Sequence, residues 1–318
     1  MADSLPLGLT WAAFWLHLLG ERVAARRTGR PRDRLARRRA LTFYAGLLVI
    51  VVSIATPIET LSKQLLWTHM IQHVLLLSVA APLIVLGAPW MSLWRPLPLG
   101  MRRALARALV LSPRSAPVRS ACRALSRPLV ALAVYSANLL AWHLPALYDL
   151  ALRNTDVHAL EHLTFVGFAI LLWAQVIASP PFRASLAYPR RVAYLVAAMV
   201  PNVALSMLLA FSRSPLYPFY AHLVHRPGGI SAITDQQIAA GIMWSFGDLP
   251  FAIAIVVLTV HWLNGLDKDA AALTGLTPGS GESGRAVERS ADSGTPAAPE
   301  LPIPAPQATG ARAGWRLT

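Results

Sequence analysis

Apolar runs long enough to cross a bilayer recur along the chain, separated by shorter polar stretches. A hydrocarbon core of about 30 Å takes about 20 mostly apolar residues in a helix. Seven stretches qualify, the first of them short: residues 5–20, 40–57, 61–87, 128–145, 158–179, 191–211 and 233–263. The pattern predicts an all-α fold, an integral membrane seven-helix bundle. Asp3 precedes the first run and Arg22, Arg26 and Arg27 follow it, the reverse of the charge order in a signal peptide. It is read as a true span with its N-terminus outside. From about Asn264 the apolar periodicity stops and Gly, Pro, Ala and Ser take over. Such a segment buries too little surface to offset its chain entropy. Two regions follow, a transmembrane domain over 1–263 and a disordered cytoplasmic tail over 264–318.

Composition sharpens this reading. Of 318 residues 55% are apolar and 14% charged, with a mean hydropathy of +0.48. A soluble domain carries roughly 25% charged residues, so a water-coated globule and a largely disordered chain are both excluded. The single cysteine, Cys122, excludes a disulfide scaffold. The net charge of +14 comes from 29 basic and 15 acidic side chains, and their placement reports orientation. Loops 21–39, 88–127 and 180–191 and the tail hold nine, eight, three and five Lys or Arg. The opposite side holds only Lys63, Arg153, Arg213 and Arg226. Positive residues stay inside, which puts the C-terminus in the cytoplasm. The run RRTGRPRDRLARRR is read as held at an anionic inner leaflet, so the partner there is membrane lipid and no nucleic acid. All but two of the basic residues are arginine and alanine is abundant, which hints at a GC-rich bacterial source and a multi-pass protein of the inner (plasma) membrane.

Ionisable side chains in membrane helices are costly and usually functional, which makes the nine histidines informative. His69 and His73 fall in the outer half of the third span, in HMIQH. His143 ends the fourth, and His158 and His162 open the fifth, in HALEH. Each pair is spaced i, i+4 and so shares one helical face. Two such pairs with His143 between them are able to converge on one metal ion. Imidazole suits zinc, copper and iron, and copper(I) also accepts thioether sulfur. Met70, Met207 and Met243 lie in the outer halves of their spans as candidate ligands, although methionine in an apolar helix serves packing more often. Asp235 and Glu161 are candidate acceptors that fix imidazole tautomers. The reading is a copper site, or a transient copper-transfer site, facing outward.

The same residues fit other chemistries. HALEH fits the H-x-x-E-H pattern of inverted zinc peptidases, but nothing else in the chain resembles a peptidase. Paired histidines across two helices also suit b-type haem, as in a small membrane electron carrier. Retinal is excluded because Lys63 stands at the outer end of its span and Lys268 lies beyond the last one, so neither is buried within the bilayer. The chain has no CxxC pair, Walker motif or GxGxxG. In the last span, Asp248 in FGDLPF is either an intramembrane proton or cation relay or the partner of a polar neighbour such as Asn138 or Asn202.

The runs WTHMIQHVLLLSVAAPLIVLGAP, WHLPALYDLAL, HALEHLTF and DQQIAAGIMW, in that order, resemble the CtaG family of caa-type cytochrome c oxidase assembly factors. The likeness spans about residues 5–263 and places His69, His73, His143, His158, His162 and Asp235 on the matching motif positions. It implies a non-enzymatic role in building the oxidase, with oxidase subunits and other copper chaperones as partners and copper as the ion handled. A metal-free scaffold for the assembling oxidase is the remaining alternative.

Overall fold

In a computed structural model of the protein, residues 4–28, 33–55, 57–182 and 184–274 are described, with backbone only for 28 and 267–274. Among them every regular element is helical. Helix α1 (Ser4–Thr28) precedes α2 (Arg34–Ala55) and the short α3 (Pro57–Ser62). The HMIQH run lies on α4 (Leu66–Val74), which continues through a π-helical stretch, Leu75–Ala80, into α5 (Ala81–Gly87). The basic segment that follows, expected as a loop, is instead broken into α6 (Trp90–Trp94), α7 (Leu99–Ala106) and α8 (Ala116–Leu125). Next come α9 (Pro128–Trp142), α10 (Pro145–Arg153), α11 (Thr155–Trp173) and α12 (Tyr188–Phe211). The one-turn α13 (Pro218–Ala221) leads to α14 (Ala232–Ile242), and a second π stretch, Met243–Gly247, joins it to α15 (Asp248–Thr274).

Local chemistry sets these boundaries. Proline occupies the first helical turn of α8, α9, α10, α12 and α13, where its missing N–H is no loss. Asn154 caps α11 by accepting from the amides of Asp156 and Val157 at 2.9 and 3.2 Å. Ser231 caps α14 through the Thr234 amide at 3.1 Å.

Five helical segments are long and apolar enough to cross a membrane: Arg34–Ala55, Leu66–Gly87, Thr155–Trp173, Tyr188–Phe211 and Ala232–Leu266. A sixth arises if the pair Pro113–Leu125 and Pro128–Trp142, bent by 86°, counts as one span. The protein is therefore an all-helical, multi-pass membrane protein. The run over 5–20 forms a helix but is not among these segments, because polar and charged residues dilute α1. The last helix continues to Thr274, past the 263 boundary read from the sequence, and the tail from 275 lies outside the described residues. Large apolar side chains such as Leu129 and Phe211 stand 78% and 79% exposed. In lipid these are satisfied, since acyl chains replace the buried face that water would demand.

Glycine governs how closely two helices meet. A Cβ on Gly87 of α5 would stand 2.6 Å from the Cβ of Phe43 on α2, and one on Gly46 of α2 would stand 2.9 Å from Ile84 Cγ1. Small residues let membrane helices approach at backbone distance, and this approach locks the span bearing HMIQH against α2. On its other side, Leu66 and Met70 pack with Leu205, Leu209, Tyr217, Tyr220, Ala239 and Met243. The ends of α4, α9, α11 and α14 that carry polar motifs are thereby gathered at one end of the bundle.

Candidate metal centre

The two i, i+4 histidine pairs face each other. On α4 the rings of His69 and His73 are 4.3 Å apart between centroids, with their Nε2 atoms at 2.8 Å. On α11 the rings of His158 and His162 are 4.1 Å apart. Across the helices, His69 meets His158 at 5.3 Å and His73 meets His162 at 5.9 Å. Helical spacing stacks each pair; the packing of α11 on the α4–α5 span brings the pairs together. All four residues are no more than 3% exposed.

Glu161 lies among these rings, fully buried. Its carboxylate oxygens are 3.5 Å from His73 Nε2 and 4.0 Å from His69 Nε2. The ligand atoms of His69, His73 and His162 fall within 4.8 Å of one another, as do those of His69, His158 and Glu161. Bonds of about 2.0–2.1 Å place the donors of a trigonal or tetrahedral site roughly 3.4–3.6 Å apart. Small side-chain rotations therefore bring either triad to bonding distance.

Hydrogen bonds select the tautomers. Tyr220 donates its hydroxyl proton to the Ser62 carbonyl. It therefore accepts from His69 Nδ1, at 3.2 Å, which leaves the lone pair on His69 Nε2 to accept from His73 Nε2, 2.8 Å away. Burial pushes the Tyr220 phenol well above its ordinary pKa, so this donor stays protonated. His143 donates Nδ1–H to the Leu139 carbonyl at 2.7 Å, and its Nε2 has no hydrogen-bond partner. The His73 and His143 rings are 6.0 Å apart.

The remaining residues expected from sequence take distinct places. Both oxygens of Asp235 accept backbone amides, from Leu66 at 2.9 Å and Trp67 at 3.0 Å. It thus caps the helix that carries His69 and His73 rather than orienting an imidazole directly. An N-terminal carboxylate is favourable there because the helix has no capping side chain of its own. Met70 and Met243 are buried and line a small cavity with His73 and His143. Met207 sits half-buried on α12 and is not in that lining. Asp248 pairs with Asn202, whose Nδ2 donates to Oδ1 at 3.1 Å, while Asn138 accepts instead from the Trp142 indole.

Three contributors were missed in the sequence. Glu59 accepts from Gln72 Nε2 at 2.7 Å and stands 3.8 Å from His158 Nδ1. Gln72, inside HMIQH, also donates to the Ser53 carbonyl at 3.0 Å. The sequence offered a signal for these two, an acid and an amide at the outer edge of a span beside a histidine motif. Tyr220 carried no local signal, because its partner lies 151 residues away.

Together these features define a polytopic membrane protein with a buried histidine–glutamate cluster able to bind a metal ion. Residues 15–265 match the Cytochrome c oxidase caa3 assembly factor (Caa3_CtaG) family, and the chain belongs to it. Similar chains include uncharacterized proteins of Mycobacterium bovis and Mycobacterium tuberculosis. Each is 25% identical over 231 residues, covering 70% of this chain and 34% of the relative. An uncharacterized protein of Mycobacterium leprae is 26% identical over 267 residues, 82% of this chain and 39% of its own. The chain thus spans little more than a third of the length of these relatives. No solved structure matches it.

Proposed function

We propose that this protein is a non-catalytic assembly factor for a caa3-type cytochrome c oxidase, which binds copper at the His69–His73–His158–His162–Glu161 cluster and passes it to the oxidase. One observation carries the metal reading: four imidazoles and a carboxylate from two helices are buried together with ligand atoms within 4.8 Å in each triad. Imidazole donors suit copper, and a carboxylate in a low-dielectric setting offsets the charge of the ion.

The orientation belongs to the same proposal. The 25-residue α1 and the bent α8–α9 pair join the five long segments as spans six and seven, with the N-terminus outside and the C-terminus inside. The concentration of arginine on one side of the chain supports this. The cluster then sits near the extracytoplasmic face of a bacterial plasma membrane, where copper arriving from outside enters the bilayer. Other copper chaperones are the natural donors.

The test is a copper(I) titration of purified protein, comparing wild type with His69→Ala/His73→Ala and His158→Ala/His162→Ala. Each pair is expected to lose at least ten-fold in affinity. Unchanged affinity in both removes copper from the function, and full oxidase activity in cells carrying both then favours the metal-free scaffold. A Soret band in the purified protein, lost in the same variants, would favour the haem carrier instead.

A further inference from the structure

The five histidines do not surround one point. His69, His73, His158 and His162 gather about Glu161, whereas His143 faces a separate cavity of about 30 Å³ that it shares with Met70, His73, Asn202, Met243 and Asp248. That volume is about twice what a single water needs. Three atoms in its lining residues have no hydrogen-bond partner: His73 Nδ1, His143 Nε2 and Asp248 Oδ2. All three residues are buried, at 3%, 5% and 6% exposure. His143 Nε2 and Asp248 Oδ2 are the two outside the cluster.

The reasons these atoms are bare are specific. The single imidazole proton of His143 is committed to the Leu139 carbonyl, so Nε2 presents a lone pair. Asp248 uses Oδ1 to accept from Asn202, and the same Asn202 Nδ2 also donates to the Met243 carbonyl at 3.0 Å. Oδ2 is left over. Two acceptors without a donor, deep among membrane helices, are costly, and a cation between them removes the cost. The thioethers of Met70 and Met243 complete the wall, 0% and 3% exposed. Both π stretches border it, and Ser78 in the first donates to the Gly247 carbonyl in the second at 2.8 Å. Such π bulges are frequent at functional sites.

We propose that this cavity is a second cation position, selective for a soft monovalent ion of the copper(I) class. His143 Nε2 and the sulfur atoms of Met70 and Met243 are its ligands, and Asp248 balances the charge. Thioether and imidazole donors together favour copper(I) over harder ions. The proposal deepens the copper-binding reading of the cluster and rests on it. His73 belongs to both places, as a member of the cluster and a wall of the cavity, so the ion moves by ligand exchange across it. Bonds to cluster imidazoles break as bonds to His143 and the two sulfurs form. The ion stays copper(I), no electron moves, and the new ligands have no proton to release.

Full-length protein in detergent, kept anaerobic and reduced, is titrated with copper(I) against a chromophoric copper(I) chelator, and the loaded protein is examined by X-ray absorption. Wild type is expected to bind two ions per chain and to show a sulfur shell. Met70→Leu/Met243→Leu, a volume-conserving change, is expected to bind one ion, without the sulfur shell. Asp248→Asn is expected to weaken the same ion at least ten-fold. His158→Ala/His162→Ala should lose the other ion and keep the sulfur shell. A wild type that binds one ion with nitrogen scattering alone overturns the second position and leaves the cluster standing, as do two ions in the double leucine variant. One ion with a sulfur shell that survives the α11 double variant supports the second position and overturns the cluster. No ion at all overturns both.

Discussion

Asp235 is the most exposed joint in the logic of the site, because it acts on helix α4 from 168 and 169 residues away. In Asp235→Ala, two charge-assisted hydrogen bonds at the start of that helix vanish together. A hydrogen bond to a charged acceptor is worth about 1.5–3 kcal/mol. Relief from burying the carboxylate itself returns part of that. The net loss is expected at about 2–4 kcal/mol, above the roughly 0.5–2 kcal/mol of an ordinary helix cap because two charge-assisted bonds go together. The first turn should fray, and His69 lies on the next turn, so the cluster loosens from that side. Changes one layer out from a metal typically cost about 10–100-fold in affinity, and a drop of that size in copper(I) binding is expected. Asp235→Asn keeps one acceptor oxygen and should recover about half of the stability. Thermal unfolding in detergent and competitive copper(I) titration read the two effects separately. An alanine variant that melts and binds as wild type does would refute the claim that this carboxylate holds the helix.

Tyr220→Phe removes the acceptor of His69 Nδ1–H; we expect copper(I) affinity to fall about ten-fold, measured by the same titration, with the fold retained. Burial raises the phenols of Tyr148, Tyr217 and Tyr220, so in an ultraviolet titration these three should show no tyrosinate at about pH 10, where a solvated tyrosine is half ionised. The stability tied to their neutral form is complete below about pH 10 and is lost as pH climbs through the raised folded values. Gly87→Val drives a side chain into Phe43 and should cost about 1–3 kcal/mol, visible as a lower monodisperse yield in detergent, while Gly8→Ala, with open space around it, should have no such effect.

Much of the site was legible in the chain, and the parts that were not share a cause. HMIQH and HALEH each put two imidazoles on one face, since residues four apart on a helix overlie one another. That is a local property, and both pairs stack as the spacing requires. For Asp248 the sequence leaves open a relay or a polar partner such as Asn138 or Asn202, and in the structure it bonds Asn202. The role of Asp235 was read as tautomer control because its proximity to histidines could be imagined, whereas its backbone partners could not. Glu59 and Tyr220 reach the rings only because α3 and α13 fold over the end of the bundle. The segment over 88–127, read as a basic loop, is helical in part because its arginines are good helix formers. Charge alone does not distinguish a loop from a short amphipathic helix.

Sequence by itself determined that the chain enters a membrane, that it does so as helices, and that its histidines come in face-sharing pairs. Those facts follow from hydropathy and helical pitch, which depend on residues within a turn or two of each other. Tertiary structure alone decided that α4 and α11 pair their histidine faces around Glu161, that α14 caps α4, and that His143 lines a separate cavity with Met70 and Met243. Each of these depends on which helices touch and at what rotation. Side-chain volume, glycine contacts such as Gly87 against Phe43, and distant hydrogen bonds set that rotation, and no local window of the chain contains them.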